Sequence, residues 1–306
     1  MKKVFIVTLT YKGDRETSDF LDSLLLVDTG GISLNVILVD NSPEKPFKKD
    51  VRKYKKLNLK IIQNSENLGF AGGNNKGAEY ALGKGADYVL FINNDTVVDK
   101  YFLKELLDLL KDREDAGIVV PKIYFEKGYE FHKDRYKEEE LGKVIWYAGG
   151  EFDWRNVLAK HKGVDEVDIG QYSQISVTDF ASGCAFLIKS DVLKKIGLFD
   201  EKFFLYYEDS DLSLRTKKSG YKIYFCPLSI VWHKNASSSG GSGSDLQDYY
   251  ISRNRLLFAV KYAPIRSKIA ILRESLRLMF SGRKWQKAGI LDFYLGKFGR
   301  GSYPIS

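Results

Sequence analysis

A chain of 306 residues, 44% hydrophobic and 14% aromatic, can bury the core of one large domain or two smaller ones, which excludes a disordered polymer or a small stapled scaffold. No stretch approaches the roughly 18 uninterrupted apolar residues of a membrane-spanning helix. The two cysteines, Cys184 and Cys226, lie in separate apolar runs outside any C-x-x-C, which argues against a disulfide framework or zinc site and for a reducing cytoplasm. The net charge of +8 belongs to one end: residues 245–306 hold 12 Lys and Arg against 4 Asp and Glu, and the preceding 244 hold 36 of each sign.

The chain opens "MKKVFIVTLTYKGD", where the apolar run Val4–Leu9 ends at Lys12 and Asp14 too soon for a secretory signal, so it reads as a first strand. Further apolar runs follow at Val36–Val39, Lys60–Ile62 and Tyr88–Ile92, and an amphipathic helix at Asp99–Lys111. This alternation, as far as about Pro121, predicts βαβ units and a mainly parallel sheet, whose ligands bind at the carboxyl ends of strands. Those ends carry Thr10-Tyr11, Asp40-Asn41-Ser42, Asn64 to Asn75, and Asn93-Asn94-Asp95. Each could be an ordinary turn. One crevice lined by all four is the more economical reading.

The segment "NLGFAGGNNKG", Asn67 to Gly77, has neither G-x-G-x-x-G nor G-x-x-x-x-G-K-[ST], so the dinucleotide fingerprint and the P-loop are both excluded. It leads into a helix, "NNKGAEYALGKG", with small residues that let a ligand approach the backbone, or it is a simple tight turn. Residues 125–170 are charged, with a "KEEE" run that reads as a solvated face. "VTDFASGCAFLIK" gives another strand pair. In "FFLYYEDSDLSLR", Glu208, Asp209 and Asp211 crowd a helix start, with Arg215 placed to pair with Asp211. A carboxylate held against that aromatic run has its pKa raised by desolvation, which suits a general base.

His132 and His161 lie in charged segments and read as exposed. His233 ends the strand "LSIVW" and precedes "NASSSGGSGS", a loop with the composition of a flexible lid, so His233 with a distant Asp is a candidate metal site. In the tail, Ile265, Ile269, Leu272, Leu276 and Met279 recur at helical spacing with Arg266, Arg273, Arg277 and Lys284 on one flank. Either the stripe packs on the core and the charges face water, or the basic flank lies on an anionic membrane surface. No nucleic-acid recognition motif accompanies the charge.

Seven stretches, "VTLTY", "VILVDNS", "NLGFAGGNNKGAEYAL", "YVLFINNDTVV", "FASGCAFLIK", "IGLFDEKFFLYYEDSDLSLR" and "VWH", occur in an order that resembles the family 2 inverting glycosyltransferases of GT-A fold, especially their rhamnosyltransferase-like branch. The resemblance implies an α/β, Rossmann-like mixed sheet flanked by helices over residues 1–244, with a nucleotide-binding half at 1–121, an acceptor and catalytic half at 122–244, and a basic helical extension at 245–306. It implies a base pocket for UDP or dTDP from Thr10, Tyr11 and Asp40, the Asp40 carboxylate accepting from a pyrimidine N–H. Asn67, Gly69, Gly72, Asn74, Asn93 and Asn94 would line the nucleotide sugar. Asp95, last residue of the D-x-D-like "NND", would ligate Mg2+ or Mn2+, joined by His233. Asp209 would be the base that deprotonates the acceptor hydroxyl, with Glu208 its neighbour. The sequence departs from the pattern at Asn93, where many relatives carry Asp, and at Asn74, where some carry Arg.

The implied reaction moves rhamnose or another hexose to a hydroxyl of a glycan or lipid-linked acceptor in cell-surface polysaccharide or glycoconjugate synthesis, in the cytoplasm or at the inner face of the membrane. A sugar-nucleotide nucleotidyltransferase should carry a glycine- and basic-rich phosphate loop after the first strand, and "TLTYKGD" lacks one. A processive synthase should carry membrane helices and Q-x-x-R-W. Hydrolysis needs a second carboxyl, for which Glu208 or Asp211 is available. A catalytically inactive adaptor binding membrane or nucleic acid would have no need to keep Asp40, Asp95, Asp209 and His233 together.

Overall fold

The computed structural model describes residues 2–48, 50–235 and 243–304. Its first half is built of β1 (Lys3–Thr10), α1 (Asp14–Leu24), β2 (Ser33–Asp40), β3 (Lys60–Gln63), α2 (Gly69–Gly83) and β4 (Tyr88–Ile92). β1 pairs in parallel with both β2 and β4, and β2 with β3, so Thr10, Asp40, Gln63 and Ile92 end at one edge. The strands are continuous apolar runs because both faces are covered, and all five residues of β4 are buried. α2 lies unusually close to β1: a Cβ on Gly73 would stand 2.4 Å from Leu9 Cδ1, and one on Gly77 2.3 Å from Val7 Cγ1.

β5 (Thr96–Val98), α3 (Phe102–Asp112) and β6 (Ala116–Phe125) follow. α3 starts three residues after the expected Asp99 because the Asp99 carboxylate accepts from Tyr101 N at 2.7 Å, closing a turn first. The expected division at 121/122 falls inside β6, a central strand. Pro121 does not stop it, because the register of its parallel neighbour β12 (Lys222–His233) shifts between Cys226 and Ile230, opposite Pro121 and Lys122. A residue without an N–H fits a ladder already interrupted there.

The charged region holds structure that its composition hides: β7 (Ile145–Tyr147) and a separate hairpin of β8 (Gly150–Asp153) with β9 (Leu158–His161). β10 (Ser176–Thr178) and β11 (Ala185–Lys189) are not each other's partners; β10 pairs with β12, and β11 runs antiparallel between β4 and β6. With α4 (Ser190–Ile196) and α5 (Glu208–Lys218) the mixed sheet is complete, in the order β10-β12-β6-β11-β4-β1-β2-β3, with β5 on β12 and β7 on β6.

The chain closes with α6 (Asp245–Tyr262), α7 (Ile265–Ser281) and α8 (Lys284–Tyr294). Leu256, Phe258, Ala259, Ile271 and Ile290 form one cluster with Val157, Phe203 and Leu214, so the boundary at 244/245 does not separate two cores. The face of α7 that packs is turned from the expected stripe: Ile271 and Ser275 are buried, Leu272 and Met279 only partly, and Ile265, Ile269 and Leu276 are exposed. Among the described residues no helix is long and apolar enough to cross a membrane. Most of the Ser/Gly loop expected to act as a lid, 236–242, lies outside the described residues.

Candidate active site

Three residues, Ser182 to Cys184, join the two halves of the site. They precede β11, which is antiparallel to β4, so they arrive at the edge where β4 ends. Cys184 O accepts from Asn93 N at 2.9 Å, and Gly183 N donates to Asp209 Oδ2 at 2.9 Å. The carboxylate at the start of α5 and the "NND" at the end of β4 thus flank one turn of chain. Asp209 Oδ1 also accepts from Ser210 N at 2.6 Å. Burial pushes the Asp209 carboxyl above the usual carboxylate range, and the Gly183 and Ser210 amides pull it partly back. Glu208 is more deeply buried, its Oε2 has no hydrogen-bond partner among the described residues, and burial with the Asp209 charge pushes its pKa well above the ordinary value.

Asp211 is no second acid for hydrolysis. It is fully buried and accepts from Arg215 Nε at 2.8 Å, as the sequence spacing predicts, and also from Lys261 Nζ at 2.5 Å and the Tyr262 hydroxyl at 2.6 Å.

Across the turn, Asp95 Oδ1 lies 3.3 Å from His233 Nε2, both side chains buried, because β5 pairs β12 in the register His233 to Thr96. His233 packs edge-on against Trp146, with ring centroids 4.6 Å apart, and its Nδ1 has no hydrogen-bond partner among the described residues. Among those residues no three His, Cys, Asp or Glu side chains are arranged to hold a metal ion by themselves. A carboxylate and an imidazole this close fit two positions in the shell of a divalent cation. The two free thiols are buried, Cys184 beside His233.

His132 is exposed as expected, but His161 is not. Its ring packs on Trp146, Tyr147 and Phe180, its Nδ1 lies 3.1 Å from Trp146 O, and burial pushes its pKa down to about 4. The alternation of β9 turns it inward, which local charge alone cannot reveal.

A cavity of about 240 Å³ opens past the ends of β1 and β2, lined by Tyr11, Lys12, Pro43, Glu44, Ser65, Glu66, Asn67 and Arg300. Asn67 also accepts from Gly69 N at 2.9 Å. Several of the expected lining residues are buried. Thr10 is buried, its hydroxyl 3.0 Å from that of Thr17 and 3.4 Å from Asn94 Nδ2. Asp40 is fully buried, with Oδ1 accepting from Ser42 N at 2.8 Å and Oδ2 from Phe47 N at 2.6 Å, which holds the 42–47 loop. Asn74 is buried and donates to Phe70 O within its own helix.

Gly69 and Gly72 lie in the first turn of α2. Gly69 has φ +71°, and a Cβ there would lie 2.6 Å from both the Phe204 ring and the Phe204 carbonyl; one on Gly72 would lie 3.0 Å from Leu68 Cβ. At Gly69 the missing side chain lets α2 approach the Phe204 backbone and ring.

That contact matters because Phe204 belongs to the segment leading into Glu208. Phe204, Tyr206 and Tyr207 have φ of 63°, 69° and 73°, the left-handed region that costs non-glycine residues about 1–3 kcal/mol each. Phe204 O accepts from Phe70 N at 2.7 Å, tying the segment to α2. From the other side, Asn254 Nδ2 lies 2.7, 2.8 and 2.9 Å from the carbonyls of Phe203, Leu205 and Tyr206, and Arg253 Nη2 donates to Phe203 O at 3.1 Å. Neither Asn254 nor Arg300 stands out in the sequence, since both reach the site only through the tertiary return of the C-terminal helices.

The family model described as Glycosyl transferase family 2 matches residues 5–197. The low-salt glycan biosynthesis hexosyltransferase Agl10 of Haloferax volcanii is 23% identical over 254 residues, 82% of this chain and 74% of its own. The N-acetylglucosaminyl-diphospho-decaprenol L-rhamnosyltransferase of Mycobacterium tuberculosis is 26% identical over 77% of both chains. The dTDP-rhamnosyl transferase RfbF of Shigella flexneri is 23% identical over 84% of this chain and 80% of its own. Among solved structures, GalNAc-T7 with UDP, GalNAc and Mn2+ superposes on 89% of this chain with TM-score 0.61 at 16% identity, this chain spanning 54% of it. Residues 1–349 of S. aureus TarS superpose on 92% of this chain and 72% of their own with TM-score 0.51 at 18% identity. The structural likenesses are likenesses of fold.

Proposed function

From the premise that the chain belongs to glycosyl transferase family 2, we propose that it moves rhamnose or another hexose, with inversion, from a UDP or dTDP donor to a hydroxyl of a glycan or lipid-linked acceptor in cell-surface polysaccharide or glycoconjugate synthesis. The observation that carries the reading is the turn at Ser182 to Cys184, which sets the Asp209 carboxylate on one side and the "NND" strand end on the other. Relatives whose names specify a dTDP-rhamnosyl donor and a diphospho-decaprenol acceptor support the finer choices.

In this reading the nucleotide occupies the cavity beside Tyr11 and Asn67, with Lys12 and Arg300 as nearby positive charge for the diphosphate. Asp40 acts by shaping that cavity. The acceptor hydroxyl gives its proton to Asp209, whose raised pKa suits that role, as its oxygen bonds the anomeric carbon. The bond from that carbon to the diphosphate breaks on the opposite face, and the diphosphate leaves with the electron pair. Asp95 and His233 would hold Mg2+ or Mn2+, which when bound neutralises charge on the departing diphosphate. The basic C-terminal helices suit a site at the cytoplasmic face of a membrane, where a lipid-linked acceptor resides.

The experiment is calorimetric donor binding, with Mn2+ and with chelator, paired with product formation followed by mass spectrometry. Asp209→Asn should bind donor as the wild type does while turnover falls about 10²- to 10⁴-fold, and Asp95→Ala should lose the metal-dependent part of binding. Wild-type turnover by Asp209→Asn would return that residue to the role of an ordinary helix-start acid.

A further inference from the structure

On α7, Ile265, Ile269, Leu276 and Phe280 are exposed, Ile265 by 70% and Phe280 by 85%. At 100° per residue these four fall within an arc of about 60°, a line about 22 Å long on the side of the helix away from its packed face. Scattered exposed apolar residues are normal, but four aligned along one helix are not. Arg273, Arg266 and Arg277 occupy the next roughly 40° of the same wheel, and Lys268 lies on the other side of the line. Among the described residues none of these four cations makes an ion pair. The single acid of the helix, Glu274, is on the far side and is taken by Arg255 at 3.0 Å.

We infer that α7 is an interfacial helix, which lies in the plane of an anionic lipid bilayer with Ile265, Ile269, Leu276 and Phe280 inserted among the acyl chains and the arginine row on the headgroups. A helix lying in an interface has this composition: apolar side chains on one face, Lys and Arg beside them. A second copy of this chain fits the same face poorly, because a two-fold contact would bring the arginine rows together with no acid between them. The stripe also stands on a convex helix, where a deformable interface can receive it and a rigid groove is not required. The inference deepens the reading of a lipid-linked acceptor, and because its test measures binding without any sugar transfer, either can fail while the other stands.

Full-length protein is floated with phosphatidylcholine vesicles and with vesicles containing phosphatidylglycerol, at low and high salt. The wild type should bind the anionic vesicles and keep part of that binding at high salt, because inserted apolar surface is not screened. Ile269→Ser, Leu276→Ser and Phe280→Ser together should weaken binding at least about tenfold even at low salt. Arg266→Gln, Arg273→Gln and Arg277→Gln together should remove the preference for anionic lipid. All substitutions are at exposed positions, and circular dichroism checks that each variant folds. Absence of wild-type binding at low salt would overturn the inference, as would an apolar variant that binds like the wild type. So would a lipid-free dimer that the serine substitutions dissociate, which assigns the face to a second copy.

Discussion

Glu208 sits beside the proposed base in a site that favours its neutral form. Its carboxyl is buried, one oxygen lacks a partner, and Asp209 adjoins it, so ionising Glu208 places a second charge in a poorly solvated space. Its pKa is raised above that of the unfolded chain, so between those two values the folded protein holds a proton that the unfolded chain has released. Stability is therefore full below the unfolded pKa and declines as pH rises toward the folded one. Glutamine has the shape of the protonated acid and does not ionise. Thermal midpoints of Glu208→Gln and wild type should converge near pH 4 and separate as pH rises, with the variant the more stable. Each unit of pKa elevation contributes about 1.4 kcal/mol, or a few degrees in a chain of this size. A difference that stays constant across pH would mean that Glu208 ionises normally in the fold.

The segment from Phe203 to Tyr207 is held in an unfavourable backbone conformation from two sides, by α2 through the Phe204 carbonyl and by α6 through Asn254. Asn254 touches no reacting atom in the proposed mechanism; it positions Asp209 by fixing the residues just before it. Asn254→Ala should lower kcat about 10- to 100-fold, the scale of a misplaced catalytic group, and change donor affinity far less, because Asn254 does not line the cavity proposed for the nucleotide. Asn254→Asp, with the same shape but oxygens facing the carbonyls, should be no better. Parallel losses in kcat, donor affinity and melting midpoint would show a general loss of packing instead. Elements of this kind separate what the sequence discloses from what it hides. β1, β2, β4 and α3 were legible because burial on both faces or on one stripe imposes a pattern, and Asp95, Asn67, Asp209 and His233 stand out as polar groups near strand or helix ends, the placement on which their proposed roles rest. β8 and β9 were not, since a half-exposed hairpin carries charge, and α2 begins before Asn74 because glycines that serve close packing leave no periodic signal.

At the scale of the whole molecule, the C-terminal helices are the part whose role the sequence obscured most. Charge made residues 245–306 look like an appendage, but α6 packs one face into the protein's interior. Leu256 and Phe258 pack with Phe203, Leu214 and Val157, Tyr250 stacks on Phe204 with centroids 5.1 Å apart, and Lys261 and Tyr262 satisfy the buried Asp211. Burying a large apolar side chain contributes about 1.5–3 kcal/mol, so Leu256, Phe258 and Tyr250 alone approach the net stability of about 5–15 kcal/mol typical of a folded protein. Losing α6 also leaves Asp211 with Arg215 alone and strips the Phe203–Tyr207 segment of the amide that holds its carbonyls. A chain ended after residue 244 should therefore keep much of its parallel sheet by far-ultraviolet circular dichroism, bind a hydrophobic dye strongly, and melt without a cooperative transition. Appending 245–306 should restore the transition even when the exposed α7 face carries the serine substitutions, because that face takes no part in the core. A truncated chain that melts cooperatively at the wild-type midpoint would mean that residues 1–244 hold a complete core and that the C-terminal helices only rest on it.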